Sequence, residues 1–219
     1  MRQRLVITID GPSGAGKSTM AKLLASALGY SYMDTGAMYR AVAYAFARKK
    51  GQPDLEPFLR DLVLRFVFGN ETQVILDGED ISQKIRDPEI SLSASALSQD
   101  PRVRKYLTKL QREMGKDGGI VLEGRDTGSV VFPDADVKFF LDADVNERAG
   151  RRYRELSARN AGEDPEKVRE EMQKRDKDDS ERDIAPLTRP EGALYIDTTG
   201  LDVEGVGRIM KQHVEQVLR

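Results

Sequence analysis

Five short runs of apolar, largely β-branched residues punctuate the chain: Leu5–Ile9, Tyr30–Met33, Gly119–Leu122, Val137–Leu141 and Ala193–Ile196. They are apolar at successive positions instead of alternating, and helical patterns separate them. That combination predicts strands of a parallel sheet buried on both faces. The first four runs end in Asp10-Gly11, Asp34-Thr35-Gly36, Glu123-Gly124-Arg125-Asp126 and Asp142-Ala143-Asp144, and the fifth runs into Asp197-Thr198-Thr199-Gly200. Ligands of open α/β sheets bind beyond the carboxyl ends of the strands, so these clusters are where chemistry is to be sought.

Two segments break the strand–helix alternation. Between Leu62 and Ser82, the alternating Arg65-Phe66-Val67-Phe68, the turn pair Gly69-Asn70 and the run Gln73–Leu76 predict a β-hairpin. A second turn, Asp77-Gly78, extends it to a small antiparallel sheet, expected to rest on the helical pattern Met38–Lys49. The other segment, Glu147–Asp183, is polar and helix-prone, and Asp164-Pro165 supplies an N-cap and a first-turn proline. So little apolar content predicts either a solvated pair of ion-paired helices or a flap that closes on an anion.

Composition narrows the picture. At 219 residues, 39% hydrophobic and 33% charged, the chain fits one core with small insertions and a soluble, ion-paired surface. No run approaches the roughly 18 apolar residues of a membrane span. Met1-Arg2 leads straight into the first strand pattern without a signal or transit sequence, and the expectation is a cytoplasmic protein. The absence of cysteine removes thiolate zinc, disulfides and a cysteine nucleophile. The single histidine, His213, reads as a surface or helix-end residue and leaves no material for a triad. A net charge of −2 argues against a nucleic-acid polymer as partner, while locally dense arginines suggest small polyanions. With no long apolar heptad, a monomer is the default expectation.

The strongest motif is Gly11-Pro12-Ser13-Gly14-Ala15-Gly16-Lys17-Ser18, followed by Thr19, which fits GxxxxGK[ST] between a strand and a helical pattern, Met20–Leu28. Glycines let successive N–H groups turn inward around a phosphate, and the helix N-terminus adds positive potential. In such a loop Lys17 bridges the outer phosphates and the Ser18 hydroxyl ligates Mg²⁺, which points to ATP. No Asn-Lys-x-Asp guanine reader is present, and Asp197-Thr198-Thr199-Gly200 lies too late for a GTPase switch. A second anion-binding set follows other strands: Asp34-Thr35 with Arg40 one turn on, Gly124-Arg125-Asp126, and Arg102-Val103-Arg104. Arg175, Asp179 and Arg182 fall on one helical face, where they either bind an anion or pair with one another.

IDGPSGAGKST, DTGAMYR, the Ser95–Arg104 stretch ending PRVR, EGRDTGSVVFPDA, FLDAD with ERAGRR, RDxxDxxR and IDTTGLDVEGV together resemble the bacterial cytidylate kinase family over essentially the whole chain. That resemblance implies a P-loop NTPase core with an inserted monophosphate-binding part and a short helical lid. The divisions would be a core over 1–36, 95–146 and 184–219, the insertion over 37–94, and the lid with its returning helix over 147–183. It implies an acceptor phosphate on Arg40, Arg125 and Arg182, a ribose on Arg175 and Asp179, and a cytosine read by Ser95, Arg104 and Asp126. The chemistry agrees, since cytosine offers an amino donor to a carboxylate and acceptors to a guanidinium. The implied reaction is ATP-dependent phosphorylation of CMP, with dCMP, and the lid arginines are sought at Arg148, Arg151 and Arg152, with Arg154 and Arg159 also open. Glu123 is open to two roles, holding magnesium waters or supporting Arg125. Kinases for other acceptors such as UMP or AMP, and a non-catalytic ATP-binding regulator, are the competing readings.

Overall fold

The computed structural model describes residues 4–49, 54–67, 72–158 and 164–219. The predicted strands are β1 (Val6–Asp10), β2 (Ser31–Asp34), β6 (Ile120–Gly124), β7 (Val137–Asp142) and β8 (Leu194–Asp197). They form one five-stranded sheet in the order β2-β6-β1-β7-β8, with the pairs all parallel. Each of the five ends one or two residues later than its apolar run. The polar residue at the end stays in the ladder: Asp10 pairs with Gly124 and Phe140, and Asp142 with Asp197.

Helices cover both faces. On one side α1 (Lys17–Leu28) and α8 (Val203–Val217) bring Met20, Leu24, Val206, Met210 and Val214 onto Ile7, Ile9, Val121, Phe139 and Leu141. His213 on α8 packs edge-on against Phe139, with ring centroids 5.6 Å apart. On the other side α2 (Thr35–Ala47) and α5 (Pro101–Gly115) bring Met38, Ala41, Val103 and Leu107 onto Met33, Ile120 and Leu122.

That second core continues into the small sheet. Strands β3 (Leu64–Val67), β4 (Gln73–Leu76) and β5 (Glu79–Asp80) are antiparallel, and Phe66, Val74 and Leu76 share a cluster with α2 and with Phe58 of α3 (Leu55–Asp61). Asp77 and Gly78 turn between β4 and β5 with φ of 49° and 86°, the left-handed values a tight hairpin needs. Phe68 and the expected turn at Gly69-Asn70 lie outside the described residues. A 3₁₀ turn (Lys84–Arg86) and α4 (Pro88–Leu97) lead back to α5.

Helices α6 (Val145–Ser157) and α7 (Pro165–Glu181) form the polar pair, and the Asp164 side chain caps α7 at Glu166 N. The pair has a small core of its own, Ala149, Val168 and Met172 with Tyr153 and Leu156. It is also bolted to the main sheet through buried charged groups, so the expectation of a purely solvated surface fails for the inner face of α7.

The sheet sets a hard limit on the first loop residue. Gly11 has φ of 146°, and a Cβ there would lie 1.9 Å from the Leu141 carbonyl oxygen on neighbouring β7. Backbone on a central strand cannot give way. Gly11→Ala is expected to destabilise the fold by about 3 kcal/mol or more, measured by urea denaturation.

Candidate active site

The strand ends and the helices that follow them enclose one cavity of about 930 Å³. Its wall on one side is the loop from Ser13 to Thr19, which turns between β1 and α1 with Gly14 at φ 76° and Gly16 at φ 91°. Gly16 is the N-cap of α1 and has no side-chain cap, so the first amides of that helix are left for a ligand. Lys17 is buried and donates from Nζ to the Pro12 carbonyl at 2.6 Å. Burial, then the nearby Arg125 guanidinium, pulls its pKa down to about 7.

Glu123 closes β6 beside that loop. Its Oε1 accepts from the Tyr32 hydroxyl at 2.7 Å, and the Ser18 hydroxyl is a further hydrogen-bond partner. Burial raises the Glu123 carboxyl, Asp34 repels it further, and Lys17 opposes the rise. Thr35, at the start of α2, donates its hydroxyl to the Glu123 carbonyl at 2.7 Å. Asp34 caps α2 through Ala37 N and accepts from Arg40 at 2.9 Å. Among the described residues no group of three or more His, Cys, Asp or Glu is arranged to hold a metal by itself.

Opposite the loop, arginines outnumber acids. Arg104 of α5 pairs with Asp126 and donates to the Ser98 carbonyl at 2.9 Å, while its guanidinium lies over the Tyr39 ring, 5.6 Å from the centroid. Burial pushes the Tyr39 phenol up to about 12. Arg125 donates to Asp179 at 2.8 Å, and Arg182 reaches Asp179 at 3.4 Å and Asp126 at 3.5 Å. Arg175 is left over. Burial, then repulsion by Arg125, drags its pKa down to about 10, and its Nε finds no hydrogen-bond partner among the described residues. The Nε of Arg40 is likewise buried without a partner. A cavity wall holding more guanidinium than carboxylate favours an anion electrostatically.

Every candidate on the acceptor side lines this cavity: Thr35, Arg40, Ser95, Arg104, Arg125, Asp126, Arg175, Asp179 and Arg182. Ser95 enters from α4. Arg182 arrives by a different route from the one expected, since α7 ends at Glu181 and Arg182 is extended, with ψ of 142°. The Ala185 carbonyl anchors its Nε at 2.6 Å. On that face Arg182 pairs with Asp179, which is the pairing alternative, and Arg175, Asp179 and Arg182 all line the cavity.

Of the arginines on α6, Arg151 and Arg152 line the cavity, as does Arg154. Arg151 is held by Glu147 and by Thr198, whose hydroxyl and carbonyl it contacts at 2.9 and 2.8 Å, and Arg152 pairs with Glu155 at 2.8 Å. Arg148 points elsewhere: it is buried, donates to the carbonyls of Ala143 and Ser13, and pairs with Asp176. Arg159 lies outside the described residues.

Asp10, which the sequence marks only as part of a strand-end cluster, makes side-chain contacts that no pattern signalled. It is fully buried at the end of β1, and its carboxylate accepts from Thr127 N at 2.9 Å, Thr127 Oγ1 at 2.7 Å and Gly128 N at 2.7 Å. These bonds pin the start of a π-helical turn, Thr127–Val131, directly after Arg125 and Asp126. Gly128 fits because a Cβ there would come 2.6 Å from Thr8 Oγ1 and 3.1 Å from Pro190. A carboxylate immediately before a P-loop was the only visible sign of it.

Comparison with known proteins follows the same lines. A family profile described as Cytidylate kinase matches residues 7–216. A cytidylate kinase of Geobacter sulfurreducens is 50% identical, with 94% of this chain and 90% of that protein covered. One of Syntrophotalea carbinolica is 48% identical over 99% of this chain and 94% of that protein. A shikimate kinase structure from Bacteroides thetaiotaomicron superposes with a TM-score of 0.52 at 11% identity, over 97% of this chain and 99% of that one, a likeness of fold alone.

Burial lifts the Asp10 carboxyl from 3.8 to about 6 against its three hydrogen bonds, with Asp126 adding a small repulsion. Its folded-state pKa is therefore above its unfolded one, and the folded protein holds the extra proton between about pH 4 and 6. This group's contribution to stability is greatest below that window and is lost as pH rises through 6. Asp10→Asn removes the titration, so its stability relative to the wild type should rise by about 1 kcal/mol between pH 5 and 7 in paired denaturant melts.

Proposed function

The chain belongs to the cytidylate kinase family, and we propose that it transfers the γ-phosphoryl group of ATP to the 5′-phosphate of CMP, with dCMP as a further acceptor. The observation that carries this reading is the cluster of Arg40, Arg125, Arg175 and Arg182 facing a P-loop across one cavity, with the Nε atoms of Arg40 and Arg175 buried and without a hydrogen-bond partner among the described residues. An anion between these groups would restore the balance that the acids alone do not.

In this reading the donor phosphates lie on the amides from Gly14 to Thr19 with Lys17 on the outer oxygens, reached by release of the Pro12 carbonyl. Arg40, Arg125 and Arg182 hold the acceptor phosphate, and Arg175 with Asp179 the ribose. Ser95, Arg104 and Asp126 face the base, and Asp126 accepts from the cytosine amino group. Uracil would present a carbonyl to that carboxylate instead. Arg151 and Arg152 approach from α6 and would add positive charge over the moving group. One such arginine contributes about 10³–10⁵ in rate in related phosphoryl transfers. The acceptor phosphate is already an anion near neutral pH, so attack needs no strong base, and catalysis is alignment plus charge neutralisation.

Magnesium suits the oxygen groups beside Lys17. The Ser18 hydroxyl, Glu123 and Asp34 form an oxygen-only set, and the mutual repulsion of the two acids is what a hard dication would relieve. A magnesium ion held by these groups would supply positive charge to offset that of the donor phosphates. This assigns Glu123 to the metal side, with Tyr32 holding it in place. The 37–94 insertion and the 147–183 helical pair are proposed as the parts that close over acceptor and donor. No helix among the described residues is long and apolar enough to cross a membrane, and a monomeric cytoplasmic enzyme is part of the same proposal.

A panel of CMP, dCMP, UMP and AMP with MgATP and coupled ADP detection tests the function; turnover fastest with another acceptor, or none with any, sinks it. Lys17→Ala should lower kcat by about 10³ or more while leaving CMP binding by calorimetry close to the wild type. Asp126→Ala should cut the CMP-over-UMP preference by about ten-fold or more, read as the ratio of the two kcat/KM values.

A further inference from the structure

We infer that Asp176 and Arg148 are positioning residues that carry the state of the P-loop to the acceptor arginines through helix α7. The inference rests on the reading of donor and acceptor sides given above, and it concerns residues that stand behind the P-loop and do not line the nucleotide cavity.

Both main-chain groups of one loop residue are taken. Ser13 N donates to Asp176 Oδ1 at 3.0 Å, and the Ser13 carbonyl accepts from Arg148 Nη1 at 2.9 Å. Asp176 and Arg148 pair with each other, and Arg148 Nε is anchored on the Ala143 carbonyl at 3.0 Å. The next residue leaves no slack, since a Cβ on Gly14 would stand 2.8 Å from the Arg148 carbonyl oxygen and 3.1 Å from Met172 Cε. A buried ion pair by itself says little about its purpose. Here the pair closes on the backbone of the loop that must mould itself to phosphate.

The other side of α7 faces the acceptor. Arg175 is the chain neighbour of Asp176, and Asp179, one turn on, holds Arg125 and Arg182. A continuous helix moves these groups as a unit, because each turn is fixed to the next by its own hydrogen bonds. When a phosphate draws in the loop amides, any shift at Ser13 is passed to Asp176 and so to Arg175 and Asp179. Donor occupancy is thereby felt as a change in acceptor affinity, and the reverse follows by linkage.

The test is calorimetric, on the full chain. CMP is titrated with and without saturating magnesium and a non-hydrolysable ATP analogue, and the ratio of the two dissociation constants is the coupling factor. Direct repulsion between the two anions is the same in every variant and drops out of the comparison. In Asp176→Asn, which keeps an acceptor for Ser13 N but loses the ion pair, the coupling factor should change by about five-fold or more. Arg148→Lys, which keeps the charge but cannot hold both carbonyls, should change it in the same direction. A folded variant with the wild-type coupling factor overturns the inference. So does loss of folding in both variants, which would make the clamp structural only. Failure of the wild type to phosphorylate CMP would instead strike the functional reading, a separate result.

Discussion

The site depends first on a carboxylate that does not line the cavity. Asp10 ends the central strand, and the chain turns at once into the phosphate loop. Its side chain meanwhile holds Thr127 and Gly128 of the segment that presents Arg125 and Asp126. One residue thus ties the phosphate-loop sequence, through its backbone, to the segment that carries Arg125 and Asp126, through its side chain. The tie lies in the dry centre of the sheet, where an ionised carboxylate is costly, and the raised pKa measures that cost. Three donors aimed at one carboxylate make up enough of it for the group to stay in place. The two loops are therefore set relative to each other by covalent geometry plus hydrogen bonds at 2.7–2.9 Å.

Charge imbalance is the second constraint. Asp126 and Asp179 are shared among Arg104, Arg125 and Arg182, so Arg175 and part of Arg40 are left without a carboxylate of their own. Shared acids keep the arginines in place and apart without neutralising them. A phosphate entering this cavity meets guanidinium groups whose desolvation has already been met by folding, so little reorganisation remains at the moment of binding. On the other wall Lys17 is lowered first by burial and then by the Arg125 guanidinium, with Glu123 and Asp176 opposing the fall.

What was legible in the sequence follows from how local each cause is. Parallel strands announce themselves because both faces are buried, and the P-loop because its geometry needs glycines at fixed spacing. The strand ends were read short by a residue or two, because hydrogen-bonded pairing does not stop where apolar side chains do, as Asp10 and Asp142 show. Arg182 was assigned to a helical face by counting, yet the helix stops one residue before it, and the Ala185 carbonyl then places its guanidinium. The tie from Asp10 to Thr127 spans 117 positions, and nothing in the neighbourhood of either residue signals the other. The same is true of Ser13 and Asp176, 163 positions apart.

Arg148 shows why composition misjudged the polar helical pair. A segment so rich in charge was expected to face solvent or an anion, and Arg151 and Arg152 do face the cavity. Arg148, three residues before Arg151 on α6, instead turns inward and is satisfied by two carbonyls and Asp176. A guanidinium has five donors in a rigid fork, so it can link a helix, a strand end and a loop at once where an apolar side chain would only fill space. Burying it is tolerable because its donors are met by two carbonyls and a carboxylate. The polar character of α6 and α7 therefore serves two surfaces. One is open to the cavity, where charge awaits a ligand, and one is closed against the P-loop, where charge takes the place of a hydrophobic core.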